Sequence, residues 1–145
     1  MKILKVALLT PLLVLAACGG EAKTETVEPP KTVAISDVKL CLEVGAQNEC
    51  PADLRAFPDS APQISVSAVI TNPSTVPKVV FDWRYLGDET PKAINSATIK
   101  STEIVRVASS TLSMVDHEWP AGKYEVIVTA GTQEARADFT VVHVD

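Results

Sequence analysis

From Val33 onward, apolar residues recur at every second position, and prolines and glycines separate the runs. A period of two is the mark of half-buried strands, not of helices. Val38, Leu40, Leu42 and Val44 fall on one face of a first long strand, opposite Lys39, Cys41 and Glu43. In a second strand Ile64, Val66, Ala68 and Ile70 alternate with Ser65, Ser67, Val69 and Thr71, and the turn-rich "NPSTVP" closes it. Val79, Phe81, Trp83 and Tyr85 share a face of a third strand, with Asp82 and Arg84 on the other. Two weaker strands are predicted over 93–99 and 102–108, which leaves "SSTLS" (Ser109 to Ser113) as a polar connection. "KYEVIVTA" and "EARADFTVV" complete the set as a hairpin joined near Gly131. No stretch carries an amphipathic helix with caps at both ends. Seven short strands with frequent turn signals predict an all-β domain over residues 33–145, an antiparallel β-sandwich.

Particular residues narrow this architecture. Trp83 sits in the middle of the third strand and Tyr124 opens the sixth. "WPAGKYEVIV" feeds that strand from a proline-glycine turn, and "FTV" completes the last one. These roughly 50 residues resemble the closing part of immunoglobulin-like and fibronectin-III-like envelope domains, with their core tryptophan and tyrosine corner. The resemblance implies an immunoglobulin-like topology of about seven strands. The B–F cysteines of antibody domains are absent, and Val126 stands where the second would lie. A shared architecture implies no particular activity.

The N-terminal 17 residues break the β pattern. Lys2 and Lys5 precede an apolar stretch from Val6 to Ala17, interrupted only by Thr10 and Pro11. It falls short of the roughly 20 residues that span a bilayer and has the layout of a secretory signal peptide. "LAAC" (Leu15 to Cys18) resembles the lipobox of bacterial lipoproteins. That resemblance implies diacylglycerol on the Cys18 thiol, cleavage just before it, and membrane anchoring through several acyl chains, since one alone holds only marginally. Gly19 in place of an aspartate implies onward sorting to the outer membrane, with the domain facing the periplasm. Residues 18–32, "CGGEAKTETVEPPKT", hold one large apolar residue, Val27, and read as a lipidated tether.

Processing alters charge and thiol count. The full chain has 13 basic and 18 acidic residues and a net charge of −5. Loss of Lys2 and Lys5 leaves 11 basic residues against the same 18, a net charge of −7. An acidic domain is repelled by nucleic-acid phosphates, so nucleic acid is not an expected partner. Of three cysteines, Cys18 is consumed by lipid, and Cys41 and Cys50 form an even pair in an oxidising compartment. A disulfide between them is expected. Metal binding lacks further ligands at usable spacing, and the pair is not the Cys-x-x-Cys of redox enzymes.

Candidate chemistry is sparse. "DHEWP" gathers Asp116, His117, Glu118 and Trp119, but neighbours on an extended chain point to opposite sides and His143 offers no pair spacing. No metal site or cofactor is expected. His117 reads as solvated and Trp119 as packed over the domain edge. The serines lack a Gly-x-Ser-x-Gly elbow, no glycine-rich phosphate loop occurs, and Asp88 with Glu89 sits in a turn composition, so an enzyme is not expected. Aromatic residues and arginine concentrate binding energy at interfaces. Arg84 and Leu86, on the outer face of the third strand, and His117 and Trp119 are therefore the candidate interface residues. The expected role is a non-enzymatic binding or accessory module that engages another envelope protein. Two alternatives are an inhibitor or immunity-type lipoprotein that blocks a hydrolase or toxin with a loop, and a small-ligand carrier.

Overall fold

The computed structural model describes residues 31–114 and 116–145, so the expected signal segment, Cys18 and most of the expected tether lie outside it. Eight strands follow in order: β1 (Ala34–Cys41), β2 (Ala56–Pro58), β3 (Gln63–Thr71), β4 (Lys78–Tyr85), β5 (Lys92–Lys100), β6 (Val107–Ser113), β7 (Gly122–Ala130) and β8 (Gln133–Val142). The helical elements among the described residues are two single 3₁₀ turns, Pro73–Thr75 and Ser101–Glu103. The strands form two sheets, β1-β3-β6 and β2-β8-β7-β4-β5. The fold is all-β.

The alternation foreseen along the chain is what packs the two sheets together. Leu40, Ile64, Val66, Ala68 and Ile70 from the smaller sheet meet Val79, Phe81, Trp83, Val126, Val128 and Phe139 from the larger in one buried cluster. Trp83 is 1% exposed, and its indole N–H crosses between the sheets to the hydroxyl of Ser110 on β6 at 3.1 Å. Phe139 stacks on Tyr124 with ring centres 5.1 Å apart and receives the edges of Phe57 and Trp83.

Four expectations need correction. The first strand stops at Cys41, and Leu42 is exposed, because the chain turns there into the disulfide loop. The fifth predicted strand is displaced: residues 101–103 form a 3₁₀ turn, and "SSTLS" belongs to β6. Ser110 points inward because it satisfies the Trp83 indole, which propensity cannot reveal. A further strand, β2, pairs in parallel with β8 through Ala56, Phe57 and Pro58, so the pairing is not wholly antiparallel. Trp119, expected over the domain edge, is 1% exposed.

Cys41 and Cys50 are joined as a disulfide. The loop between them folds over the outer face of the smaller sheet, where the Cys50 N–H donates to Ser67 Oγ at 3.0 Å and Ser65 Oγ lies 2.8 Å from Thr111 Oγ1. Both serines are thereby buried without orphaned polar atoms. The gap between β1 and β8 is stitched by residues 53–58: Leu54 N–H reaches Leu40 O, Thr140 N–H reaches Arg55 O, and Asp53 accepts from Leu40 N–H.

The β7–β8 turn rests on Gly131, which has φ +60, and a Cβ there would lie 2.8 Å from Val76 Cγ1. Replacing it strains the backbone and crowds the Val76 side chain. Gly131→Ala should destabilise the domain by about 1–3 kcal/mol, read as a lower urea midpoint. An unchanged midpoint would contradict this seating of the turn.

Candidate interaction surfaces

The outward positions of β4, β7 and β8 form a charged face on the larger sheet. Cross-strand register places Arg84 beside Glu125 and Asp82 beside Ile127, which faces Arg136 on β8. Glu125 is held between two arginines, with Arg84 at 3.9 Å and Arg136 at 3.6 Å, and its side chain is only 9% exposed. Arg136 also pairs with Glu134 at 3.0 Å. The Glu134 and Glu125 carboxylates raise the already high pKa of Arg136.

Leu86 continues this face. Its N–H donates to Lys123 O at 2.8 Å, and its half-buried side chain lines an open groove of about 450 Å³ with Arg55, Lys123, Asp138 and Thr140. The groove sets the accessible side chain of Leu86 among charges of both signs, with the edges of Tyr124 and Phe139 also on its wall. Arg84 and Leu86, expected together as exposed candidates on the outer face of the third strand, are both half-buried and reach this face.

A second cleft lies at one end of the domain. Tyr85, Ile94, Met114, Pro120 and Tyr124 line it, with Lys92 at the mouth. The Tyr85 ring rests against Gly87 and Gly122. A Cβ on Gly87 would come within 2.1 Å of the Tyr85 hydroxyl oxygen, and one on Gly122 within 3.1 Å of the ring. Tyr85 Oη donates to Ala121 O at 3.1 Å, and Tyr124 Oη to Pro120 O at 2.6 Å. Burial, helped by the neighbouring Tyr85, pushes the Tyr124 phenol up to about 12. Tyr124 therefore acts as a neutral donor at physiological pH. Only the turn character of "GDETP" was legible in sequence; the seat for Tyr85 depends on Gly87 and Gly122 meeting in space.

The structure separates the remaining candidates. His117 is exposed. Trp119 is unavailable to a partner, because its indole is in the core and donates to Ala61 O at 2.9 Å. The residue that organises this end is Asp59, in the β2–β3 connection. Its N–H donates to Val142 O, its carbonyl accepts from Trp119 N–H, and its carboxylate pairs with the His143 imidazole and accepts from Val144 N–H at 3.4 Å. Asp145 lies 3.3 Å from the other imidazole nitrogen. Among the described residues no three metal-ligating side chains converge. Sequence reading missed the pairing because Asp59 and His143 lie 84 positions apart.

No protein-family model matches the chain, and no curated protein matches it.

The Asp59–His143 pair imposes a pH window. Its hydrogen bond to His143 holds the Asp59 carboxyl below the usual carboxylate range, and the same bond and charge raise His143. The Asp59 contribution to stability is present above the unfolded carboxylate value, about 4, and is lost as pH falls through its lowered folded value. The His143 contribution is full below about 6.5 and is lost as pH rises through its raised folded value. His143→Gln should therefore lower the melting temperature at about pH 5.5 and have a smaller effect at about pH 8.5. Equal effects at both values would refute the window.

Proposed function

We propose that this chain is a lipid-anchored envelope protein whose single immunoglobulin-like domain acts as a non-enzymatic binding or accessory module. The anchor reading rests on "LAAC" (residues 15–18), placed after a basic start and a short apolar run. Cys18 carries the lipid, residues 1–17 are removed, and residues 18–32 tether the domain to the outer membrane on its periplasmic side. A flexible segment of that length reaches roughly 20 Å, so the domain can meet a neighbour near the membrane surface.

Three features favour the immunoglobulin-like topology. The order β1-β3-β6 opposite β8-β7-β4-β5 follows the arrangement A-B-E opposite G-F-C-C′. The short parallel pairing of β2 with β8 suits an A strand that switches sheets. Tyr124 Oη donates back to Pro120 O, the hydrogen bond of a tyrosine corner.

The observation that carries the binding role is the groove beside Leu86, where an accessible apolar side chain borders the Arg84–Glu125–Arg136 cluster. An apolar anchor inside a polar rim is the composition of a recognition patch. The partner is another envelope protein with a mixed-charge, partly apolar surface.

The anchor is tested by metabolic labelling with a palmitate analogue: wild type should carry label and Cys18→Ser should not, and equal label in both would overturn it. The binding face is tested by crosslinking the mature protein in envelope extracts and identifying the adducts by mass spectrometry. Leu86→Glu should reduce a specific adduct by about tenfold, the loss of an anchor contact worth about 1.4 kcal/mol. An adduct pattern indifferent to Leu86→Glu would remove this face from the proposal.

A further inference from the structure

Among the described residues, the two sheets leave four edge strands: β1, β6, β2 and β5. Free strand edges invite pairing, and folded proteins blunt them with bulges, lysines, prolines, short strands or covering segments. Three of the four carry such devices. β1 is bulged between Ser36 and Lys39 and covered by Asp53 and Leu54. β2 is three residues long and ends in Pro58. β5 is irregular against β4 between Trp83 and Arg84 and has a lysine at each end, Lys92 and Lys100.

β6 has none of them. "VASSTLS" contains no charge, proline or glycine, and its register with β3 runs unbroken from Val107↔Val69 to Ser113↔Gln63. The ladder also shows which groups are free. Ile70 N–H donates to Arg106 O and Met114 N–H to Pro62 O, so the even-numbered residues of β6 are bonded to β3. Hydrogen-bonded pairs alternate along an antiparallel ladder. The N–H and C=O groups of Val107, Ser109, Thr111 and Ser113 therefore point away from the sheet.

The ends of this edge are complementary to each other. Just before β6, Val105 is 97% exposed, the most exposed large apolar residue among those described. At the far end of β6 lies the apolar cleft of Met114, Ile94, Tyr85 and Tyr124. Arg106 stands at the Val105 end, and Asp116 and Glu118 follow the Met114 end. Glu103, the acidic residue nearest Arg106 in the chain, has its carboxylate turned back onto Lys100 N–H.

We infer that β6 is a self-association edge and that its occupant is the β6 strand of a second copy of this chain. Antiparallel pairing about a two-fold axis at Ser110 sets Val107 opposite Ser113 and Ser109 opposite Thr111 of the other copy. Every outward N–H and C=O of β6 then finds a partner, about eight hydrogen bonds in all. The Ser109–Thr111 pairs are hydroxyl pairs, which suit cross-strand contact. The same operation carries each Val105 and Arg106 toward the segment of the other copy that holds Asp116 and Glu118, where the arginine meets opposite charge and an acid at position 105 would meet like charge. An isologous contact of this kind closes at two copies and does not propagate. β5 cannot pair with itself in this way, because antiparallel alignment over its length would set Lys92 against Lys100 at both ends.

The inference goes beyond the proposed binding role and does not depend on Leu86 or Cys18. Light scattering on the full chain in detergent should give the mass of two copies. Ser109→Pro removes an outward N–H that the β3 ladder does not use, and it should halve the mass. Val105→Asp alters an exposed loop position outside every strand and should do the same, so loss of the dimer is separable from loss of the fold. Hydrogen exchange at Ser109, Thr111 and Ser113 should accelerate when the wild type is diluted to single copies. A single-copy mass for wild type at high concentration, or a two-copy mass in both variants, would overturn the inference.

Discussion

The indole of Trp83 is the contact on which the rest of the molecule depends. It fills the space between the two sheets, and its N–H would be an orphaned donor in that dry interior without Ser110. A buried, unsatisfied N–H costs about 1–3 kcal/mol, and deleting a side chain of this size from a core costs about 3–5 kcal/mol. The hydrogen bond also fixes how the sheets align, because it ties β4 to β6 at one residue each. Around it, Phe139, Tyr124 and Phe57 pack edge-to-face or stacked, so the indole site is set by ring geometry as well as by area.

The periphery is held by polar ties, each closing a different opening. The Cys41–Cys50 loop lies over the outer face of the smaller sheet, where Cys50 N–H satisfies Ser67 and Thr111 of β6 satisfies Ser65. In the chain-entropy description, closing a loop of this length stabilises by about 2.5–3 kcal/mol. Asp59 joins the β2–β3 connection to the chain after β8 and to the segment before β7, and it works through backbone and carboxylate together. Residues 53–58 seal the β1–β8 side.

These ties leave the molecule asymmetric. One side is sealed and one sheet face is covered by the disulfide loop, while the charged face around Arg84 and Glu125 and the edge at β6 stay accessible. The two differ in chemistry. The first offers side chains of both signs and one apolar anchor, which suits a shaped protein partner. The second offers backbone hydrogen bonds and hydroxyls, which any extended strand can meet and which a matching strand meets best. The domain can use both at once, since they belong to different sheets.

The sequence by itself determined the all-β class, the inward faces of β3 and β4, the hairpin at Gly131 and the partnership of Cys41 with Cys50. Each follows from local information: a period of two, a turn residue, or two cysteines left over for each other. It also supplied the basis for the proposed lipid anchor, because the resemblance to a lipobox rests on a short contiguous motif, although Cys18 lies outside the described residues. Tertiary structure alone decided the rest. "SSTLS" looks like a connection until Trp83 requires a hydroxyl across the core. Trp119 looks like an edge residue until Ala61 offers its carbonyl. Asp59 and His143 carry no local signal, and the freedom of the β6 edge appears only when each of the other edges is seen to be blunted. Periodicity reports which way a side chain points, but what it meets there is fixed by chain segments far away in sequence.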